Sequence, residues 1–221
     1  MSSTYSFQVQ EPDIQFLRSR WHALTAKYSD DQSARDASFR QIVQEYSGAN
    51  RAYHNLSHVK ALIARYDEFK SGSDCDAVSF AIWYHDLIYD TRRQDNEENS
   101  AALARKALGD LRVAIGTIAE AENMIKATKH HRAKHLSADG ELFLDLDISI
   151  LGAPVALYRE YSLAIRQEYN WVPSPVYREA RSRILRDFLQ RRHIFFNEQM
   201  STQFEDQARS NLEGELKELA G

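Results

Sequence analysis

The chain has 221 residues, 43% of them hydrophobic and 27% charged, which excludes a disordered segment and fits one globular domain. Gly (8) and Pro (4) are scarce, so turn-rich all-β folds are disfavoured and long helices are expected. A net charge of -4 argues against bulk electrostatic binding of nucleic acid, and a lone Cys75 excludes an internal disulfide framework and any Cys-rich metal site.

Helical periodicity runs through most of the chain. Pro12 opens a first stripe, Ile14, Leu17, Trp21, Leu24 and Tyr28. Phe39, Ile42, Val43 and Tyr46 form a second, stopped by Ser47-Gly48. Asn55 is placed as the N-cap of a third helix, Leu56 to Phe69, with Ser71-Gly72 ending it. The fourth helix runs from Asp76 to about Tyr89 and is apolar on nearly every side, so it belongs at the centre. Capping boxes are read at Asp95/Glu98 and at Thr117/Glu120, the latter opening a helix that ends near Thr128 to His131. A polar loop, His131 to Gly140, leads into ELFLDLDISILG, which alternates like a strand. No comparable strand exists to pair with it, so it reads as a buried helix. Pro154 and Ser174-Pro175 open two further helices, and Thr202 with Glu205 the last. The expectation is an all-α bundle of about nine helices in a single domain spanning 1–221, with a core near 51–152 and helices of 154–220 packed on it. No apolar run approaches roughly 18 residues, so no membrane span is expected. The opening MSSTYSFQVQEPD lacks a secretory-signal pattern, and the expected location is the cytoplasm.

Four polar pieces interrupt this apolar pattern: Tyr53-His54-Asn55-Leu56-Ser57-His58, His85-Asp86, Thr128-Lys129-His130-His131 and Asp145-Leu146-Asp147. His85 and Asp86 sit in SFAIWYHDLIYD, where an unpaired imidazole or carboxylate costs several kcal/mol. A hydrogen-bonded His–Asp pair at a helix end is the plain explanation. His58 and Asp147 change the balance, because each is also a polar residue on an apolar helix. Two imidazoles and two carboxylates are a natural ligand set for a divalent ion, with Mn²⁺ first and Fe²⁺, Co²⁺, Ni²⁺, Zn²⁺ or Mg²⁺ also suitable. Such an ion would acidify a bound water as nucleophile and neutralise developing charge, the two needs of phosphate-ester hydrolysis.

His58, then His85-Asp86, then Asp147 resembles the H…HD…D signature of the HD-domain metal-dependent phosphohydrolase superfamily. The pieces YHNLSH, WYHDLIYD, DNEENSA, LFLDLDISILG, YREARSRILRDFL and ARSNLEGEL resemble a bacterial subfamily known only as predicted HD phosphohydrolases. The resemblance implies an HD-domain, phosphodiesterase-like helical bundle whose ligands are His58, His85, Asp86 and Asp147. Tyr53-His54-Asn55 with His58 is similar to the YHNxxH segment of cyclic-nucleotide phosphodiesterases, which implies His54 as general acid. His85 to Thr91 resembles the HDxxEDT segment of enzymes that hydrolyse guanosine tetra- and pentaphosphate. Tyr89 replaces the Glu of that segment, and Leu151 stands where Asn would follow the last Asp.

The expected activity is hydrolysis of a phosphate ester or anhydride in a nucleotide or small phosphorylated metabolite. Asp86 or Asp145 would assist the water, and Lys129, His130, His131 and Arg181 would contact phosphate, with His130 or His131 as a further ligand in a two-metal site. Asn96 and Glu97 are candidates for the pocket rim. A basic helix end explains 129–131 equally well, and a solvated face explains Arg181. A homodimer is left open. Competing readings are a non-catalytic metal or nucleotide sensor, an HD-fold di-iron oxygenase, and a nucleic-acid-binding helical protein, the last disfavoured by charge.

Overall fold

The computed structural model describes residues 7–72 and 75–221, so the first six residues, on which part of the N-terminal reading rests, lie outside it. The described residues form ten α-helices and one 3-10 turn, without a strand: an all-α protein with one helix more than expected. The helices are α1 (Glu11–Thr25), α2 (Gln32–Tyr46), α3 (Leu56–Phe69), α4 (Asp76–Tyr84), α5 (Asn96–Asp110), α6 (Ile115–Ala127), α7 (Ala138–Ile148), α8 (Val155–Glu168), α9 (Ser174–Gln190) and α10 (Glu198–Ala220). None is long and apolar enough to cross a membrane. The backbone divides into two compact units, 7–144 and 145–221, with the division falling inside the continuous helix α7.

In the first unit α4 is the centre, with seven of its nine residues buried. Trp21 of α1 packs edge-on against Trp83 and Tyr84 of α4, ring centroids 5.3 and 6.0 Å apart, and Phe39 of α2 reaches Trp83 at 6.3 Å. Each fully buried side chain of this size stabilises the fold by roughly 1.5–3 kcal/mol, so apolar burial is the main term holding α4. The helix stops at Tyr84 rather than running to Tyr89. Beyond it the chain turns, with Leu87 N–H donating to Tyr84 O at 3.1 Å.

Two expected caps are absent. Asp95 precedes α5 without a side-chain cap; its carboxylate receives Arg93, and Asn99 bonds its carbonyl. Helix α6 begins at Ile115, so Thr117 lies inside its first turn. The sequence around DNEENSA instead ties down the chain after α4. Ser100 Oγ accepts from Ile88 N–H at 3.0 Å, and the Asn96 amide bonds both backbone groups of Asp90 at 3.1 and 2.9 Å.

In the second unit the 3-10 turn Ser149–Gly152 lies against α10, held by Asn211, whose amide donates to Leu151 O and Ala153 O at 2.8 Å each. Helix α10 starts at Glu198 with Asn197 as its cap, four residues before the expected Thr202. Glu205 takes the N–H groups of Ile194 and Phe195 instead of capping a helix. Gly152 is there for space. A Cβ on it would lie 2.5 Å from Phe204 Cβ and 2.9 Å from Phe204 O. Gly152→Ala is therefore expected to cost about 1–3 kcal/mol by overpacking, read as a lower urea midpoint at unchanged slope.

Candidate metal centre

Helix α3 starts at Leu56 because Asn55 Oδ1 accepts from Ser57 N–H at 2.8 Å, as expected of a cap. One turn in, His58 is buried on the same side as Val59 and Leu62, and its ring packs against Tyr53 at 4.9 Å. His85 terminates α4, with its N–H bonded to Ala81 O, and is 1% exposed. Its Nδ1 lies 3.1 Å from Ile82 O. A carbonyl can only accept, so Nδ1 carries the hydrogen and the Nε2 lone pair faces the other way.

That lone pair meets two others. His85 Nε2 is 3.1 Å from His58 Nε2 and 3.0 Å from Asp86 Oδ2, and His58 Nε2 is 3.9 Å from the same carboxylate oxygen. Nitrogen lone pairs and a carboxylate oxygen at this spacing repel unless positive charge lies among them. A proton can lie along one of these lines; a divalent ion accepts all the lone pairs at once. Separations near 3.0 Å are also what adjacent ligands show around an ion with bonds of about 2.1 Å.

The fourth member comes from α7. Phe143 packs edge-on against the His85 ring at 5.9 Å, and Asp147, four residues on, shares that helix face. One ligand atom each from His58, His85, Asp86 and Asp147 lies within 4.8 Å of every other, a group that can hold a metal ion. The donor set fits such an ion: two buried imidazoles, that of His85 oriented by its Nδ1 contact with Ile82 O, and two carboxylates, without sulfur. Asp86 keeps 19% of its side chain exposed, against 1% for either histidine, so the carboxylate marks the open side.

His54 lies just before α3, half-buried, with its ring 6.0 Å from that of His58. It stacks on Tyr89 at 4.4 Å and 29° and meets Tyr53 edge-on at 5.0 Å. The structure therefore brings His54 beside the four-residue group, although the two histidines are not one turn apart on a helix.

Three expected site residues are committed elsewhere. Asp145 is fully buried, and its two oxygens accept the N–H groups of Phe196 and Asn197 at 2.9 and 2.6 Å. Both oxygens thereby hold the α9–α10 connection. Lys129 Nζ donates to Gln94 O at 2.6 Å and to Glu98 at 2.7 Å; the bond to Glu98 raises its pKa, and the ammonium is engaged at the α5 entrance. Arg181 is neither a phosphate contact nor part of a solvated face: it is 7% exposed and gives Nε and Nη2 to Glu215 at 2.8 and 3.0 Å. His130 is exposed and His131 half-buried with φ 46°; neither belongs to the metal group. Asn96 bonds Asp90 instead of rimming a pocket.

Sequence reasoning passed over Tyr89 as a partner of His54, and Arg51, which touches three backbone carbonyls beside the site. Nothing local in the sequence marks either. Compared with protein-family models, with curated proteins and with solved structures, the chain matches none.

Proposed function

We propose that the chain is a divalent-metal-dependent phosphohydrolase of the HD type, acting on a nucleotide or another small phosphate ester or anhydride. The observation that carries this reading is the convergence of the His58, His85 and Asp86 lone pairs at 3.0–3.9 Å, joined by Asp147. An ion held there supplies an acidified water and neutralises charge on a phosphoryl oxygen. His54 stands at the edge of the group with its ring stacked on Tyr89, which supports its role as the acid that protonates a departing oxygen. Asp86, the solvent-facing carboxylate, is the group that takes up the water's proton, now that Asp145 is occupied by backbone donors.

Purified chain loaded with Mn²⁺ and assayed against a panel of nucleotides and phosphate monoesters is expected to hydrolyse at least one of them. Binding of a nucleotide without turnover under any metal supports the sensor instead. His54→Asn separates the roles further: metal content stays at the wild-type level while kcat falls about 10²–10⁴-fold, as loss of a general acid requires. Equal kcat in that variant removes His54 from the chemistry.

A further inference from the structure

Arg51 precedes α3 in the connection from α2, and its guanidinium is a junction between the two segments that carry the site. Nη1 donates to His54 O at 2.8 Å and to Asp86 O at 2.7 Å, and Nη2 donates to Leu87 O at 2.7 Å. The plane lies over the Tyr46 ring at 4.9 Å and the Tyr89 ring at 5.4 Å. Among the described residues the charge thus meets carbonyl oxygens and ring faces, and no carboxylate.

The physical need for this cation is local. Helix α4 ends at Tyr84, and the carbonyls that follow have no helical partner. They lie just beyond the C-terminus of that helix, where its dipole favours positive charge. The turn 85–88 also carries two ligand residues, so any sag there moves Asp86 Oδ2 against His85 Nε2. By binding the Asp86 and Leu87 carbonyls and the His54 carbonyl with one rigid planar group, Arg51 couples the exit of α4 to the entrance of α3. Tyr89, over which the guanidinium lies, is the ring on which His54 stacks.

We propose that Arg51 is a positioning residue of the metal centre, setting the spacing of the His54–His58 segment against the His85-Asp86 turn. This inference rests on the metal-binding reading. Lysine keeps the charge but lacks the rigid planar fork whose two nitrogens meet the three carbonyls, so Arg51→Lys is the informative variant. Arg209 is a control: it likewise donates to three carbonyls, Leu189, Arg191 and Arg192, though it also pairs with Glu205, and it touches none of the ligand residues.

The experiment is titration with Co²⁺, whose visible d–d bands report coordination geometry. Arg51→Lys is expected to bind Co²⁺ about 10–100-fold more weakly and with altered bands, the usual effect of losing a group that orients ligands. Arg209→Lys is expected to match the wild type in both respects, whatever stability it loses. Unchanged affinity and bands in Arg51→Lys overturn the proposal. A wild-type chain that takes up no Co²⁺ overturns the metal reading itself, a different result from an unaffected variant. Should Arg51→Lys not fold, the arginine side-chain NMR signals of the wild type decide. Zn²⁺ binding must shift the Arg51 Nη resonances, and unmoved resonances reject the coupling.

Discussion

On the proposed function, Asp86→Ala is expected to give a folded chain that takes up little or no divalent ion and whose phosphate-ester turnover is down by about 10³-fold or more, since the ion's stabilisation of the transition state is worth several kcal/mol. The choice of Asp86 over a histidine matters. His85→Ala would also remove the bond to Ile82 O and the contact with Phe143, so its loss of activity would mix ligand chemistry with packing. The Asp86 side chain is partly exposed and its backbone carbonyl still receives Arg51 after truncation. Stability supplies an independent reading. An ion present at 100 times its Kd stabilises a binding-competent fold by about 2.7 kcal/mol. For a chain of this size that raises Tm by about 5–10 °C. Wild-type protein should show this shift with Mn²⁺ and Asp86→Ala should show none. An equal shift in both would mean that Asp86 is not a ligand.

The four-residue group that can hold a metal ion was legible because each member breaks a rule of its own segment. His58 and Asp147 are polar residues in helices, and His85 and Asp86 follow α4 directly, all among buried apolar side chains, and such placements are costly without a partner. The choice between Asp145 and Asp147 was harder, since both interrupt LFLDLDISIL. It turns on the helix face: Asp147 follows Phe143 by one turn, while Asp145 points to the backbone of 196–197, about fifty residues away in sequence.

Local signals were reliable where their partners are local. Asn55 caps α3 because its acceptor works on a neighbour two residues on. Glu205 looked like the N3 residue of a capping box, yet it bonds residues 194 and 195, which no pattern around Thr202 records. Asp95 failed as a cap because Arg93 competes for its carboxylate at 2.7 and 2.8 Å. Arg51 and Arg181 were illegible for the same reason at longer range. Backbone carbonyls have no sequence signature, and a carboxylate 34 positions away cannot be assigned to one arginine among several.

That last pair carries the largest expected effect on stability. Arg181 and Glu215 are 7% and 6% exposed and form a two-point ion pair, with Arg181 over the Tyr161 ring at 5.4 Å and Tyr158 OH donating to Glu215. Burial alone pushes the Glu215 carboxyl up, but the hydrogen bonds and charge of Arg181 outweigh it and hold the group below its ordinary value of 4.5. Glu215→Ala strands a buried guanidinium and a phenol without their acceptor, and is expected to lower the unfolding free energy by about 3–5 kcal/mol. Replacing both partners by apolar residues, Arg181→Met with Glu215→Leu, removes the stranded charge and should recover most of that loss. Because the folded carboxyl titrates below the unfolded one, its stabilisation is complete above pH 4.5 and fades as pH falls through the lower folded value. Urea denaturation between pH 7 and pH 3 checks both points. The wild type should lose stability in the acid limb, and the apolar double variant should lose correspondingly less there. A Glu215→Ala chain as stable as the double variant at pH 7 would show that the ion pair is not what keeps Arg181 buried.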